Sequence, residues 1–97
     1  MAEETKKPED KPAKKEGLDV SKVTEVSKLE GMLSHLGHSI TPDTRTSIFN
    51  RIISILETGD DYGFLARGSA NSAKRWLPPA SEMRMKVDMA IETAKKR

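Results

Sequence analysis

Two histidines are the first candidates for chemistry, because His35 and His38 stand three residues apart near the end of a predicted helix. Side chains at that spacing share a helix face, and imidazole is a common metal ligand. A metal site needs at least a third ligand, and Asp43 is the only nearby candidate. So incomplete a set predicts no metal site and two histidines stabilised by the dipole at a helix C-terminus.

The segment Asp60-Asp61-Tyr62-Gly63 contains two carboxylates, the next candidates for catalysis. General acid–base catalysis needs two groups positioned in a pocket, and adjacent side chains do not face each other. The EF-hand pattern, the Gly-x-Ser-x-Gly elbow and the glycine-rich phosphate loops are absent from the sequence. We therefore predict that Gly59 stops a helix and Asp61 caps the following turn, and that the protein is not an enzyme and has no cofactor.

A short helix predicted to begin at Ser69 is a candidate for contact with nucleic acid. Its Asn71, Lys74 and Arg75 project together from one face. Amide and basic side chains on an outer helix face are typical of helices that lie on nucleic acid. Arg67 stands beside the first backbone amides of this helix, where an anion can bind. The distance to the preceding helix is too long for a helix-turn-helix motif, so this interpretation is incomplete.

The charge distribution also favours contact with nucleic acid. The chain has 17 Lys and Arg against 15 Asp and Glu, a net charge of +2. Residues 67–97 hold eight basic and three acidic side chains, so the positive charge is concentrated in the last third. This asymmetry suits a polyanion or an acidic protein, whereas the opposing interpretation is an ordinary solvated surface.

Methionines in the last predicted helix indicate a different kind of surface. At about 100° per residue, Met85 and Met89 lie nearly opposite the core-facing Val87 and Ile91. A helix with two apolar faces is either sandwiched in its own domain or covered by a partner, and methionine adapts well to protein contacts. We predict a protein interface at Met85, Met89 and Trp76, occupied by a partner protein or by a second copy of the chain.

Apolar residues recur at helical rather than strand spacing, which predicts an all-α fold, a small bundle of four helices. The first helix covers about residues 19–36 and is capped by Asp19 or Ser21. The second covers residues 42–57 after the N-cap Thr41. Apolar side chains cover nearly half of the second helix, which is therefore expected to be the most buried.

The third and fourth helices occupy the rest of the chain. The third, over residues 60–77, is predicted to be broken at Gly68, after which Ser69 caps a second short helix. Ser81 caps the fourth helix, which extends to about Lys95. The four helices are expected to pack around the apolar face of the second, over residues 48–56.

The N-terminal segment differs in composition from the rest. Residues 1–17 contain two prolines, no aromatic side chain and many charges. Such a segment cannot bury enough apolar surface to offset the entropy lost on ordering. We predict a disordered charged tail over residues 1–17 and a single helical domain over residues 18–97.

Composition narrows the function classes further. The 97 residues include no cysteine, which excludes disulfides and thiolate chemistry. No apolar run approaches the length of about 18 residues that a membrane-spanning helix needs, and no secretory signal is evident. We expect no membrane partner and a cytoplasmic protein, or one assembled into a particle made inside a cell. The predicted function is non-enzymatic binding or assembly through protein contacts, with nucleic-acid binding by residues 67–97 as the alternative.

Overall fold

The computed structural model describes residues 20–97, and the predicted tail over residues 1–17 lies outside them. The described part folds into four α-helices and three short 3-10 turns without a strand, which confirms the all-α prediction. The helices are α1 Val26–Leu36, α2 Pro42–Thr58, α3 Phe64–Ala73 and α4 Glu82–Lys96. Within this part of the chain, no helix has both the length and the apolar character needed to cross a bilayer.

The hydrophobic core centres on α2, as its wide apolar face predicts. α2 packs mainly against α4, and α1 packs mainly against α3. Five residues of α2 are buried: Ile48, Phe49, Ile52, Ile55 and Leu56. On α3 the buried residues are all alanines, namely Ala66, Ala70 and Ala73. Their small side chains let the α3 backbone lie close to α1 and α4.

Side-chain caps fix the starts of α2 and α4. Thr41 Oγ1 accepts a hydrogen bond from the Thr44 N–H at 3.2 Å, and Ser81 Oγ accepts one from the Arg84 N–H at 3.1 Å. Each bond satisfies one of the backbone donors that the first turn of a helix leaves unpaired. The sequence prediction is confirmed for both caps.

The start of α1 differs from the prediction. Val20–Lys22 form a 3-10 turn, and α1 begins only at Val26, so Ser21 is not its cap. The other predicted cap, Asp19, lies outside the described residues. Asp61 Oδ2 instead accepts a hydrogen bond from the Val26 N–H at 2.8 Å. Asp61 thus caps α1 from a position 35 residues away, and its prediction as the cap of its own turn is wrong. Its negative charge also suits the positive end of the α1 dipole.

Replacing Asp61 with alanine is expected to lower the free energy of unfolding by about 1 kcal/mol, because the Val26 N–H loses its acceptor. Urea denaturation measures the change. Asp60→Ala is the matched control. Asp60 is exposed, and its replacement removes the same charge from the same loop. Equal effects of the two substitutions would show that the cap does not stabilise the fold.

The third helix is divided, but not at the predicted residue. α3 passes through Gly68 without interruption and gives way at Lys74–Trp76 to a 3-10 turn. Gly68 lacks a positive φ, and the buried alanines hold the helix against its neighbours. A glycine inside a helix costs only about 1 kcal/mol relative to alanine, so this packing outweighs it. Ser69 therefore lies inside α3 and is not an N-cap.

Candidate interaction surfaces

The two methionines of the predicted interface lie on the outer side of α4. Met85 and Met89 are 62% and 66% exposed, whereas Val87 and Ile91 of the same helix are buried. The inward face is therefore the predicted one, and Met85 and Met89 point away from it. We call this pair the methionine face.

Polar residues of both charges surround the methionine face. Met89 lines a shallow cavity with Asp88, Glu92, Thr93 and Lys96. An apolar centre with a polar, charged rim is the usual arrangement of a surface that binds protein. The cavity is open to solvent and is formed by one helix alone, so it offers a contact surface and not an enclosed ligand pocket.

Trp76 occupies a different environment from the methionines. Its indole is half-buried and packs against the core. The His38 ring meets it edge-on at 6.1 Å between centroids, and the Arg75 guanidinium lies 5.4 Å from its ring centre. The structure therefore places Trp76 beside the end of α1, and its part in a protein interface stays a prediction.

Two cations of the predicted nucleic-acid surface have acidic partners within the fold. Lys74 Nζ forms an ion pair with the Asp88 carboxylate on α4. Arg75 Nη2 lies 2.9 Å from Glu30 Oε2 on α1 and also donates a hydrogen bond to Ser34 Oγ. These partners come from other helices, and they neutralise much of the charge that the sequence places on this face.

The anion site predicted at the start of a helix is not formed. Ser69 is half-buried in the middle of α3, where the backbone N–H groups are used by the helix itself. Arg67 Nη1 donates to the Tyr62 carbonyl at 3.3 Å, and Asn71 is exposed one helical turn further on. The structure thus keeps Arg67 and Asn71 on one side of α3 but separates them from a helix N-terminus.

Most of the basic side chains of residues 67–97 also have partners within the fold. Of its eight basic side chains, six have a hydrogen-bond or ion-pair partner within the described residues: Arg67, Lys74, Arg75, Arg84, Lys95 and Arg97. The Arg97 guanidinium also lies over the Tyr62 ring, 3.9 Å from the ring centre. Lys86 and Lys96 make no such contact in this part of the chain.

Sequence reasoning missed the two most exposed large apolar side chains of residues 20–97. Phe64 and Leu65, in the first turn of α3, are 80% and 81% exposed. We call them the Phe64–Leu65 patch. The prediction of a break at Gly68 assigned them to an isolated turn. A continuous helix with its alanines inward already places both residues outward, so the alanine spacing was the signal.

The remaining candidates for chemistry are dispersed. Within residues 20–97, no three His, Asp or Glu side chains gather closely enough to hold a metal ion. His35 and His38 are exposed, and Asp61 is occupied by the Val26 N–H. The surfaces with large exposed apolar side chains are therefore the leading functional candidates.

Comparison with known proteins adds no homologue to this description. No family model matches the chain, and no curated protein or solved structure is significantly similar to it.

Proposed function

We propose that this protein is a small, non-enzymatic assembly protein that binds protein chains, its own copies among them, through exposed apolar side chains. One observation carries the proposal. Four large apolar side chains, those of Phe64, Leu65, Met85 and Met89, are 62–81% exposed, and they form two pairs on two different helices. Neighbouring exposed apolar residues on a folded surface mark a site of protein contact.

The size of the domain supports the same function. The buried cluster contains 17 residues, five of them alanines, which is a small core. Domains of this length gain only a few kcal/mol from their own cores, and association adds burial that stabilises the folded state. A chain with apolar pairs on two separate helices can link more than two copies.

The methionine face gives the direct test. We expect the mass of the purified wild-type chain to rise with concentration in sedimentation velocity. A chain with Met85→Glu and Met89→Glu is expected to remain folded and to form smaller species, because its new charges would be buried without partners in the contact. We expect the association constant to fall about tenfold or more.

The matched control places the same two charges on another exposed helix face. Thr46 and Asn50 lie four residues apart on α2, and both are exposed. A chain with Thr46→Glu and Asn50→Glu is expected to assemble like wild type. A wild-type chain that remains monomeric throughout, or an equal loss in both variants, contradicts the proposal.

Nucleic-acid binding remains the second candidate, favoured by the charge of residues 67–97. The internal partners of Lys74 and Arg75 weaken it, because a phosphate must displace Asp88 or Glu30 to reach them. Titration with duplex DNA and with RNA at rising salt separates the two functions. Phosphate binding weakens steeply with salt, whereas apolar assembly does not. Tight, salt-sensitive binding by a chain that stays monomeric would favour nucleic acid.

A further inference from the structure

The Phe64–Leu65 patch differs from the methionine face in having a charged recess on each side. On one side, Phe64 lines a recess whose charged residues are Arg67 and Lys95. That recess has no acidic residue in its wall. Lys95 also pairs with Glu92 on the surface of α4, at 3.1 Å. Such an exposed pair contributes little and leaves the lysine available to another carboxylate. We call Arg67 and Lys95 the basic side.

The recess on the other side has the opposite charge. Leu65 lines it together with Glu25, Asp60 and Asp61, and no basic residue lines it. Asp61 already accepts the Val26 N–H, so it is engaged within the fold. Glu25 and Asp60 are exposed. Within residues 20–97, neither carboxylate forms a hydrogen bond or an ion pair with another side chain. We call Glu25 and Asp60 the acidic side.

We propose that the Phe64–Leu65 patch binds a second copy of this chain in a dimer whose two-fold axis lies in the contact plane and is parallel to α3. This inference rests on the assembly function proposed above and names the contact and its occupant. A two-fold axis along a helix exchanges the two sides of its outer face between the copies. Phe64 of one copy then meets Leu65 of the other, and each basic side meets an acidic side.

The charges distinguish this arrangement from its alternative. A two-fold axis perpendicular to α3 within the contact plane makes the helices antiparallel and places like sides together. Basic would then face basic and acidic would face acidic, and juxtaposed like charges are strongly unfavourable in an interface. The patch is therefore complementary to itself in one orientation only. A chain with one uniform charge around its apolar centre would lack this property.

Charge reversal tests the arrangement. One variant carries Glu25→Lys and Asp60→Lys, so both of its sides are basic; the other carries Arg67→Glu and Lys95→Glu, so both are acidic. Both also carry Met85→Glu and Met89→Glu, which removes the methionine face from the measurement. We expect each variant alone to dimerise about tenfold or more weakly than the parent with only the two methionine changes.

Mixing the two variants is expected to restore a dimer that contains one copy of each, because every contact again joins opposite charges. Native mass spectrometry identifies the mixed species, and sedimentation velocity measures its association constant. Circular dichroism melting checks that each variant is folded. Arg67 also donates to the Tyr62 carbonyl. If the variant with Arg67→Glu and Lys95→Glu melts at a lower temperature than its parent, Lys95→Glu without the Arg67 change serves as the acidic variant.

The outcomes separate this inference from the assembly function. A mixed dimer stronger than either variant alone supports the proposed contact. If both variants dimerise as well as their parent, or if the parent is monomeric while wild type assembles, the Phe64–Leu65 contact is wrong and the assembly function stands. A wild-type chain that stays monomeric up to about 1 mM overturns both.

Discussion

Replacing Ile52 with alanine is expected to lower the free energy of unfolding by about 2–5 kcal/mol. Ile52 lies in the middle of α2, the helix at the centre of the core, and none of its surface is exposed. The substitution removes buried apolar surface and leaves a cavity that tightly packed neighbours fill only partly. A domain this small gains only about 3–5 kcal/mol from its own core, so a loss of this size unfolds a measurable fraction of the molecules.

The next residue supplies the control for this prediction. Ile53 has the same side chain on the same helix but is only half-buried at the edge of the core. Ile53→Ala is therefore expected to cost about 1 kcal/mol, since part of its side chain is already exposed to solvent. Urea denaturation of both variants gives the comparison. Similar losses would show that α2 does not bury the face on which Ile52 lies.

α2 could be predicted in detail because its signals are local. Thr41 and Pro42 mark its first turn, and a wide apolar face marks it as the central helix. Thr41 and the residue whose N–H it accepts, Thr44, stand only three positions apart in the sequence. Ser81 likewise caps α4 from within its own first turn. The two opposed faces of α4 are also a local signal, because they follow from the spacing of residues within one helix.

The start of α1 could not be predicted in this way. Its cap, Asp61, comes from the loop between α2 and α3, and the hydrogen bond spans 35 residues. Nothing near Val26 in the sequence reveals which distant carboxylate will reach it. The local candidates at positions 19 and 21 fit the composition of an N-cap, but the helix begins after them.

Whether a candidate surface could be predicted also depended on how far apart in the sequence its residues lie. The basic face around Arg75 looked available because Glu30, its partner, is 45 residues away. The Phe64–Leu65 patch could not be predicted from the helix propensity of Gly68 alone, because the packing of the alanines keeps α3 continuous through that residue. Tertiary contacts regularly override a single propensity of this size. The methionine face needed only the periodicity of one helix, so the sequence was sufficient to place it.

Gly59 follows the last residue of α2 and ends that helix. Gly59→Ala is expected to destabilise the fold by about 1–3 kcal/mol, for a reason other than backbone freedom. The φ of Gly59 is −88°, a value that any residue adopts. A Cβ at this position would stand 2.9 Å from Ile55 Cα and 3.0 Å from the Ile55 carbonyl oxygen. That oxygen accepts the Gly59 N–H at 2.8 Å, so relieving the clash strains the bond that ends the helix.

The same substitution at Gly31 is expected to have the opposite sign. Gly31 lies within α1, is exposed, and a Cβ there would meet no atom within 4 Å. Alanine should stabilise the helix by about 0.5–1 kcal/mol, because it restricts the unfolded chain without a clash. Thermal unfolding of both variants checks the pair. If Gly59→Ala also stabilises, the turn after α2 is loose enough to move away from Ile55, and the glycine there is not required by lack of space.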